Sequence, residues 1–419
     1  MEAKTTERKA HNHNWVIVGL TQPVIWSRDD DENWMLNPPR RYILNADLLG
    51  NLQPYVDSIS DLKTSKKFHQ LQGGANLASS KILIERCRDR GIGDMLFMTG
   101  PMNYIKHVSG GTAQVYMHGL TDRSQVLSEH ESLYGKTIMH GPIHYEDLDL
   151  YNYHWFIENV TEYDEEPDQL NVYDALYKQV GLDPSTIDPR WKRPTIHLST
   201  RDSKNLDTMY FMLWKERKID LRKTGYYVVA PLSHSTLRSM RYSTWLNLIV
   251  ELSNIRPVIV IGHVYEGRMV ATDMSFGAFN AAIHQMNAPH IINLMGHTPI
   301  RVIMSMIQKA VGVICLDSGP LYIAQGLRTP AISLWGTHHP GCRIGYDREY
   351  MDMAIWNGDA CRNAPCYAYA SIPTRKCPRE EDQSVCECLL SVETKQVMEK
   401  VDKIETARKG EIPAIPARS

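Results

Sequence analysis

The feature that most constrains the fold of this chain is the stretch from residue 298 to residue 337. Apolar side chains recur at helical spacing between residues 300 and 307, and residues 311–315 form the short apolar run typical of a parallel strand buried on both faces. The tetrapeptide Asp-Ser-Gly-Pro at 317–320 ends that run, and a second helical pattern follows, because proline suits the first turn of a helix. The stretch therefore predicts a helix–strand–turn–helix–strand passage of an α/β domain.

The turn at 317–320 has the features of a ligand site. Ser318 and Gly319 fall at a helix N-terminus beyond the carboxyl end of a strand, where free backbone NH groups and the helix dipole favour phosphate. The carboxylate of Asp317 can accept hydrogen bonds from hydroxyl groups beside it. An Asp or Ser before a helix is also a common helix cap, so the turn alone leaves a ligand site and a cap open.

Length and composition exclude several classes of protein. A chain of 419 residues with 43% apolar residues exceeds the size at which one core keeps growing, which predicts two domains or more. The 46 Lys and Arg residues nearly balance the 48 Asp and Glu residues, so the net charge of −2 supplies no global attraction to nucleic acid or to an anionic membrane. A local basic patch remains compatible with this balance. No apolar run is long enough to span a bilayer, and residues 1–14 lack the apolar core of a signal peptide, which predicts a cytoplasmic protein.

Three blocks of sequence, in the same order, resemble glycosyltransferase family nine, the heptosyltransferases of bacterial lipopolysaccharide synthesis. They are residues 82–106, ILIERCRDRGIGDMLFMTGPMNYIK, residues 230–252, APLSHSTLRSMRYSTWLNLIVEL, and residues 317–340, DSGPLYIAQGLRTPAISLWGTHHP. The resemblance covers roughly residues 81–390 and is weak between about 115 and 223. It implies an α/β protein of the GT-B type, in which two Rossmann-like domains face each other across a cleft, here with an N-terminal extension.

The chain divides into four parts. Residues 1–80 match no family pattern and are interpreted as an accessory segment. Strands alternate with helices from residue 81 onward, which predicts parallel sheets. Residues 81–223 are expected to form the acceptor domain, and residues 224–395 the nucleotide-sugar donor domain, including a cysteine-rich loop at 361–388. A C-terminal helix and tail are expected at 396–419.

Sugar transfer requires a base, because an acceptor hydroxyl is a poor nucleophile at neutral pH. In the resembling family the Asp of the N-terminal Gly-Asp turn looks like the catalytic base, and Gly93-Asp94 matches that turn by position and by its strand-to-helix setting. The resemblance therefore assigns the role of base to Asp94. The alternative is that Asp94 only caps the helix that follows, which is expected to carry residues 95–104.

The departing nucleotide diphosphate needs donors that are fixed in advance. By resemblance these are Ser233, Ser235, Arg238 and the backbone at Ser318 and Gly319. The family commonly has lysine where this chain has Arg238, so the positive charge is kept on a planar guanidinium.

Two acidic residues complete the predicted donor site. Glu266 follows a strand at the position where the family often has an acidic residue that binds the donor ribose, and Asp317 is expected to hold hydroxyls of the donor sugar. No catalytic metal is expected, because no DxD-type pair lies in a matching setting and the family resembles metal-independent enzymes. His338 and His339 follow the strand near the donor and are interpreted as ordinary loop residues.

Five of the eight cysteines cluster near the end of the predicted donor domain, at Cys361, Cys366, Cys377, Cys386 and Cys388. Clustered thiols in a cytoplasmic protein more often bind a metal than form disulfides, which suggests structural zinc or iron. Some protein-modifying members of the wider heptosyltransferase group look similar in carrying an iron-binding cysteine cluster, although the spacing differs. Plain structural thiols and a disulfide remain open.

The resemblance thus implies an inverting glycosyltransferase that uses a nucleotide-activated sugar most like ADP-heptose. Lipopolysaccharide core is the expected acceptor, and a protein side chain or a modified base in phage DNA are alternatives. A peripheral position at the inner membrane is compatible with the first of these acceptors. A non-catalytic nucleotide-sugar-binding module is the alternative from another class of protein. The oligomeric state stays open.

Overall fold

A computed structural model describes residues 15–29, 32–45, 49–86, 91–119, 122–157, 170–233, 238–262, 273–286, 288–296, 298–361, 364–366 and 386–408. These residues form two parallel sheets with helices and an antiparallel N-terminal sheet. None of the helices in these ranges is long and apolar enough to cross a membrane.

The N-terminal extension is a sheet that covers one face of the first Rossmann-like domain. Its strands from this segment are β1 (Trp15–Leu20), β4 (Tyr42–Asn45) and β5 (Val56–Asp61), while β2 (Val24–Asp29) and β3 (Glu32–Leu36) form a separate antiparallel hairpin. Every residue of β1 is buried, because alternate side chains face opposite sides. Val16 and Val18 pack toward the β2–β3 hairpin, whereas Trp15 and Ile17 pack on the first domain, where Trp15 meets Phe156 at a ring distance of 4.9 Å.

The first Rossmann-like domain contains a four-stranded parallel sheet. Its elements are β6 (Lys81–Arg86), α1 (Ile92–Phe97), α2 (Thr99–Val108), β7 (Gln114–Gly119), β8 (Met139–His140), β9 (Ile143–His144), β10 (Tyr153–Ile157) and α3 (Val172–Gln179). The strand order is β10-β6-β7-β8, and β9 instead joins the N-terminal sheet beside β4. The single helix expected over residues 95–104 is divided at Met98, because Pro101 cannot donate a backbone hydrogen bond to residue 97.

The second domain is built on six parallel strands. They are β11 (Tyr227–Ala230), β12 (Val258–Val260), β13 (Ile291–Asn293), β14 (Gly312–Leu316), β15 (Ala331–Trp335) and β16 (Ala354–Trp356). Their order in the sheet is β13-β12-β11-β14-β15-β16. This is the Rossmann order. The strands β12 and β13 are added on one side of β11, and the strands from β14 onward are added on its other side.

Helices flank the second sheet and link it to the first domain. They are α4 (Thr200–Arg217), α5 (Leu221–Thr224), α6 (Tyr242–Ser253), α7 (Phe276–Gln285), α8 (Ile300–Lys309), α9 (Gly319–Leu327), α10 (Gly341–Ile344), α11 (Arg348–Met351), α12 (Glu387–Leu390) and α13 (Thr394–Ala407). The inner face of α13 packs on the second sheet, and Glu405 on that helix pairs with the buried Arg256 at 2.7 Å.

The two Rossmann-like domains meet where α1 packs directly against α9. A Cβ at Gly93 would lie 2.6 Å from the ring of Tyr322, and a Cβ at Gly319 would lie 2.9 Å from the Cβ of Ile92. The rings of Phe97 and Tyr322 also meet edge to face at 4.6 Å. Glycine at 93 and 319 therefore permits the close approach of the two helices.

Replacing Gly93 with Ala is expected to lower the free energy of unfolding by about 1–3 kcal/mol, because the new methyl group overlaps the buried Tyr322 ring. Thermal melting of the purified variant measures this. Gly277→Ala is the matched control, because a Cβ in that helix meets nothing closer than the Ser275 hydroxyl at 3.9 Å. Equal melting temperatures of the two variants would contradict the packing described here.

Candidate active site

The candidate site lies at the carboxyl ends of β11 and β14, where the strand order of the second sheet reverses. Loops that leave adjacent strands in opposite directions open a crevice at this point, which is where open α/β sheets bind ligands. Asp317 follows β14 directly, and Ser233 and Arg238 follow β11. Ser235 lies in the same loop and Glu266 follows β12, but both fall outside the described residues.

Asp317 is buried and its carboxylate is held by three side chains. The Tyr322 hydroxyl donates to Asp317 Oδ1 at 2.5 Å, while Asp317 Oδ2 lies 3.5 Å from His338 Nδ1 and 3.8 Å from Arg238 Nη1. Burial and the adjacent Asp317 carboxylate raise the pKa of Tyr322 well above its usual range, so its hydroxyl stays protonated and can donate. The carboxylate is therefore fixed in orientation beside a positive charge.

His338 is a neutral member of this cluster. Burial lowers the pKa of His338 well below its usual range, and the guanidinium groups of Arg343 and Arg238 lower it further. Arg343 Nη2 lies 3.3 Å from His338 Nε2, and since an arginine can only donate, Nε2 is the acceptor. The proton of the imidazole is then on Nδ1, which faces Asp317 Oδ2 and the Thr337 hydroxyl.

Arg238 supplies positive charge at the mouth of the crevice. Its guanidinium is half-buried, and Nη1 donates to the backbone carbonyl of Asp317 at 3.3 Å. Ser233 is also half-buried and lies at the start of the same loop. The structure thus brings Arg238 and Asp317 together, as the sequence predicted for two parts of one donor site.

The N-terminus of α9 is not capped by the side chain of Ser318. That residue has extended backbone angles at the N-cap position, and its hydroxyl donates to the Leu316 carbonyl at 3.3 Å instead of accepting from the helix. Pro320 has no NH group and the Leu321 NH donates to the Ser318 carbonyl at 3.0 Å, so the Gly319 NH is the first one that a ligand or a capping side chain would meet. Of the two interpretations left open by the sequence, this arrangement favours the anion site over the cap.

Asp94 lies in the first turn of α1, the helix that packs against α9. Its carboxyl group is half-buried and folds back over residue 91, where a Cβ would lie 2.5 Å from Asp94 Oδ2. Ile92 and Gly93, the two residues before it, contact the first turn of α9. The structure therefore places the Gly-Asp turn of the first domain next to the Asp317 turn of the second, while an additional role of Asp94 at its own helix N-terminus is also compatible.

Sequence reasoning missed Tyr322, His338 and Arg343. Tyr322 was outside the apolar stripe assigned to α9, and His338 was interpreted as an ordinary loop residue. In the structure His338 is buried and Tyr322 bonds the Asp317 carboxylate. Tyr322 lies five residues after Asp317 on the helix that begins between them, and this spacing is a sequence signal for their contact. The sequence contains no comparable signal that His338 packs against Asp317.

Four of the predicted cysteines lie in one buried region beside this loop. Cys361, Cys366, Cys386 and Cys388 are all buried, and Cys377 falls outside the described residues. A hydrogen bond from Cys388 lowers the pKa of the Cys386 thiol to about 7, whereas the same bond raises the pKa of Cys388. The backbone NH of Cys366 donates to the Thr337 carbonyl at 2.8 Å, which ties the cysteine region to the loop that carries His338. Across the described ranges, no three His, Cys, Asp or Glu side chains already stand in a metal-binding group.

Comparison with known proteins agrees with this architecture. Residues 276–370 match the family model of glycosyltransferase family 9 (heptosyltransferase). A search of curated proteins finds no match. The iron-containing dodecameric glycosyltransferase TibC from enterotoxigenic E. coli is 13% identical, with a TM-score of 0.54, over 94% of this chain and 92% of that chain.

Two further solved structures have the same fold. E. coli ADP-heptose lipopolysaccharide heptosyltransferase II is 12% identical, with a TM-score of 0.54, over 79% of this chain and 100% of that one. The family 9 glycosyl transferase of Veillonella parvula is 9% identical, with a TM-score of 0.54, over 80% of this chain and 99% of that one. At such identities the likeness establishes the fold.

Two Rossmann-like domains that meet along α1 and α9, with a strand-order reversal in the second, have the GT-B fold of these solved glycosyltransferases. The matched segment spans most of the strands and helices around Asp317. Residues 276–370 carry the domain of glycosyltransferase family 9 (heptosyltransferase), so the resemblance predicted from the sequence is confirmed for this part of the chain, and the domain indicates a glycosyltransferase enzyme.

Proposed function

We propose that this enzyme is an inverting glycosyltransferase that moves a heptose-like sugar from a nucleoside diphosphate to an acceptor hydroxyl. The observation that carries the proposal is the packing of α1 on α9, which sets the turn of Asp94 beside the turn of Asp317. One domain then contributes a base and the other contributes the donor site, as transfer between two bound substrates requires.

In the proposed reaction Asp94 accepts the proton of the acceptor hydroxyl as its oxygen attacks the anomeric carbon. The new carbon–oxygen bond forms on the face opposite the leaving group, so the bond to the diphosphate breaks with inversion. The negative charge that develops on the diphosphate is taken up by Arg238, by Ser233 and Ser235, and by the NH groups at Ser318 and Gly319.

The remaining proposed contacts hold the sugar and the ribose of the donor. Asp317 holds hydroxyls of the donor sugar in an orientation fixed by Tyr322 and His338. Glu266 is proposed to bind the ribose. An ADP-heptose-like donor is supported by TibC, whose structure at 14% identity and a TM-score of 0.54 is a complex with ADP-D-beta-D-heptose. Since Arg238 and the α9 N-terminus supply positive charge, we propose chemistry without a catalytic metal.

The acceptor that we propose first is lipopolysaccharide core, because heptosyltransferase II acts in that synthesis and has the same fold over both domains. A protein side chain is the second candidate. It is favoured by the buried cysteine cluster, which is similar to the cluster carried by protein-modifying members of the wider heptosyltransferase group.

The function is tested by incubating the enzyme with a panel of nucleotide sugars and each class of acceptor, and by following release of the nucleoside diphosphate. Turnover with an ADP-heptose is expected, with a lipopolysaccharide core acceptor giving the highest rate. Turnover only with a protein acceptor would support the second candidate, and turnover with phage DNA would support neither. Tight donor binding without turnover on any acceptor would identify a non-catalytic binding module.

We also propose that the buried cysteines hold a structural iron or zinc ion. The four described thiols, Cys361, Cys366, Cys386 and Cys388, fit such an ion chemically, because they are buried in one region and cysteine sulfur is a preferred ligand of both metals. Cys377 is a fifth candidate ligand. When bound, the ion would crosslink a segment that otherwise has little apolar core.

Elemental analysis is expected to find about one iron or zinc ion per chain, as one four-cysteine site binds one ion. The double variant Cys386→Ser/Cys388→Ser is expected to lose the ion and to melt at a lower temperature. Cys342→Ser, a buried cysteine on α10, is the control and should keep the ion. Protein purified without chelators that contains neither metal would remove this proposal.

A further inference from the structure

The solvent-facing side of α4 carries a cluster of exposed apolar residues surrounded by lysines. Phe211 is 58% exposed, Met212 59% and Trp214 48%, and the rings of Phe211 and Trp214 lie 6.2 Å apart. Phe211 and Trp214, three positions apart, are neighbours on the helix surface, whereas Met212 points to a different side. Isolated exposed apolar residues are ordinary, but two adjacent exposed aromatic rings form an apolar patch of the kind found at interaction surfaces.

The orientation of this patch is fixed by the opposite face of α4. Leu206, Tyr210 and Leu213 are buried, and the Tyr210 hydroxyl lies 2.8 Å from that of Tyr226 at the start of the second domain. Asp202, in the first turn, pairs with Arg301 on α8 through bonds of 2.5 and 3.1 Å. The apolar patch therefore belongs to a capped helix of 18 residues. Phe211 and Trp214 cannot become buried by rotation of this helix unless Leu206, Tyr210 and Leu213 leave the core.

Positive charge surrounds the patch. Lys204, Lys215 and Lys218 are exposed and lie on the same side of the helix as Phe211, because positions 204, 211, 215 and 218 are separated by whole numbers of turns. The Lys218 ammonium lies 5.6 Å from the Trp214 ring, and none of the three lysines forms a salt bridge with a described residue.

The acidic residues of this face are already paired with arginines. Asp207 lies 3.3 Å from Arg222, and Glu216 lies 2.9 Å from Arg217. The patch is therefore a local basic surface on a chain whose overall charge is only −2.

We propose that this surface, the α4 patch of Lys204, Phe211, Trp214, Lys215 and Lys218, binds an anionic lipid bilayer. Aromatic residues beside lysines suit the bilayer interface, where rings enter the boundary between headgroups and acyl chains and ammonium groups pair with lipid phosphates. Lysine is depleted in protein interfaces, and two copies of the chain that met through this face would oppose like charges. The inference goes beyond the proposed sugar transfer and does not depend on it.

Co-sedimentation of the full chain with vesicles tests the proposal. The chain is expected to bind vesicles that contain phosphatidylglycerol, to bind pure phosphatidylcholine vesicles at least tenfold more weakly, and to lose binding as salt is raised. The double variant Phe211→Ser/Trp214→Ser is expected to bind at least tenfold more weakly. The triple variant Lys204→Gln/Lys215→Gln/Lys218→Gln should lose on the order of a hundredfold, since each lysine near an anionic surface contributes roughly fivefold.

The matched control is Ile25→Ser/Met35→Ser, which removes a neighbouring pair of equally exposed apolar residues, 58% and 56%, from the β2–β3 hairpin. This variant should bind vesicles as the unmodified chain does.

The proposal is overturned if the unmodified chain does not bind the anionic vesicles, or if the control loses as much binding as the α4 variants. It is also overturned if sedimentation velocity shows an oligomer that dissociates in Phe211→Ser/Trp214→Ser, because the patch would then be a protein interface. Sugar transfer to a soluble acceptor should be unchanged in all these variants, so failure of this proposal and failure of the proposed function are measured separately.

Discussion

Replacing Asp94 with Asn is expected to reduce the rate of sugar transfer by about a hundredfold to ten-thousandfold, the range that a general base contributes. Asparagine has the size of aspartate but cannot accept the proton of the acceptor hydroxyl. The affinity for the donor should change little, because the proposed donor contacts come from the second domain. Steady-state rates at saturating donor, together with calorimetric titration of the nucleoside diphosphate, measure both quantities.

Asp207→Asn provides the control for this prediction. It makes the same chemical change at an exposed helical aspartate that pairs with Arg222 on the surface. Asp94→Asn removes a carboxylate from the first turn of α1, which costs only about 0.3–1 kcal/mol of helix stability, so loss of folding does not explain the expected rate. An Asp94→Asn variant that transfers sugar at the unmodified rate would remove Asp94 from the role of base and leave it as a helix-terminal residue.

The second large effect is expected at Arg238. Arg238→Ala removes the guanidinium beside Asp317 and should lower kcat/KM for the donor by about 10- to 100-fold, because a hydrogen bond to a charged group contributes about 1.5–3 kcal/mol. The loss should appear both in the donor KM and in kcat, since the diphosphate gains charge as it departs. Initial rates over a range of donor concentrations separate these terms.

Two comparisons sharpen the test of Arg238. Arg238→Lys should recover part of the loss, because it keeps the charge that the resembling family commonly supplies with lysine, although not the planar fork. Arg241→Ala is the control, since Arg241 is exposed at the start of α6, three residues further along the chain. A larger loss in Arg241→Ala than in Arg238→Ala would mean that the diphosphate contact is assigned to the wrong arginine.

The second sheet could be predicted closely from the sequence. The apolar runs at 226–229, 258–262, 291–294 and 311–315 all lie at strands of the structure, because strands buried on both faces are continuously apolar and bounded by turns. The turn at 317–320 was predicted for the same reason. The order of the strands was not predicted, since hydrophobic pattern specifies which segments are buried but not which neighbour each one pairs with.

The N-terminal extension shows the limit of that reasoning. The apolar run at residues 16–20 lies in β1, but the sheet also requires β4 to pair with β9, about a hundred residues away, with Ile43 opposite Ile143. Nothing local in either segment specifies such a pairing. The burial of Trp15 and Ile17 has the same cause, because it depends on the sheet of the first domain that these side chains cover.

The candidate site was predictable in part. Arg238 and Asp317 were expected together from family resemblance and lie together in the structure. Tyr322 and His338 were not predicted, because their role arises from packing around a buried carboxylate rather than from a motif. The contributions of Ser235, Glu266 and Cys377 remain predictions, as these residues lie outside the described ranges.

A crystal structure of the enzyme with an unreactive ADP-heptose analogue tests the central arrangement most directly. The diphosphate is predicted to lie against Arg238 and the first NH groups of α9, with the sugar hydroxyls on Asp317 and the anomeric carbon facing Asp94 across the junction of α1 and α9. A nucleotide bound elsewhere, or an anomeric carbon with no path to the Asp94 carboxylate, would contradict the assignment of base and donor site to opposite domains.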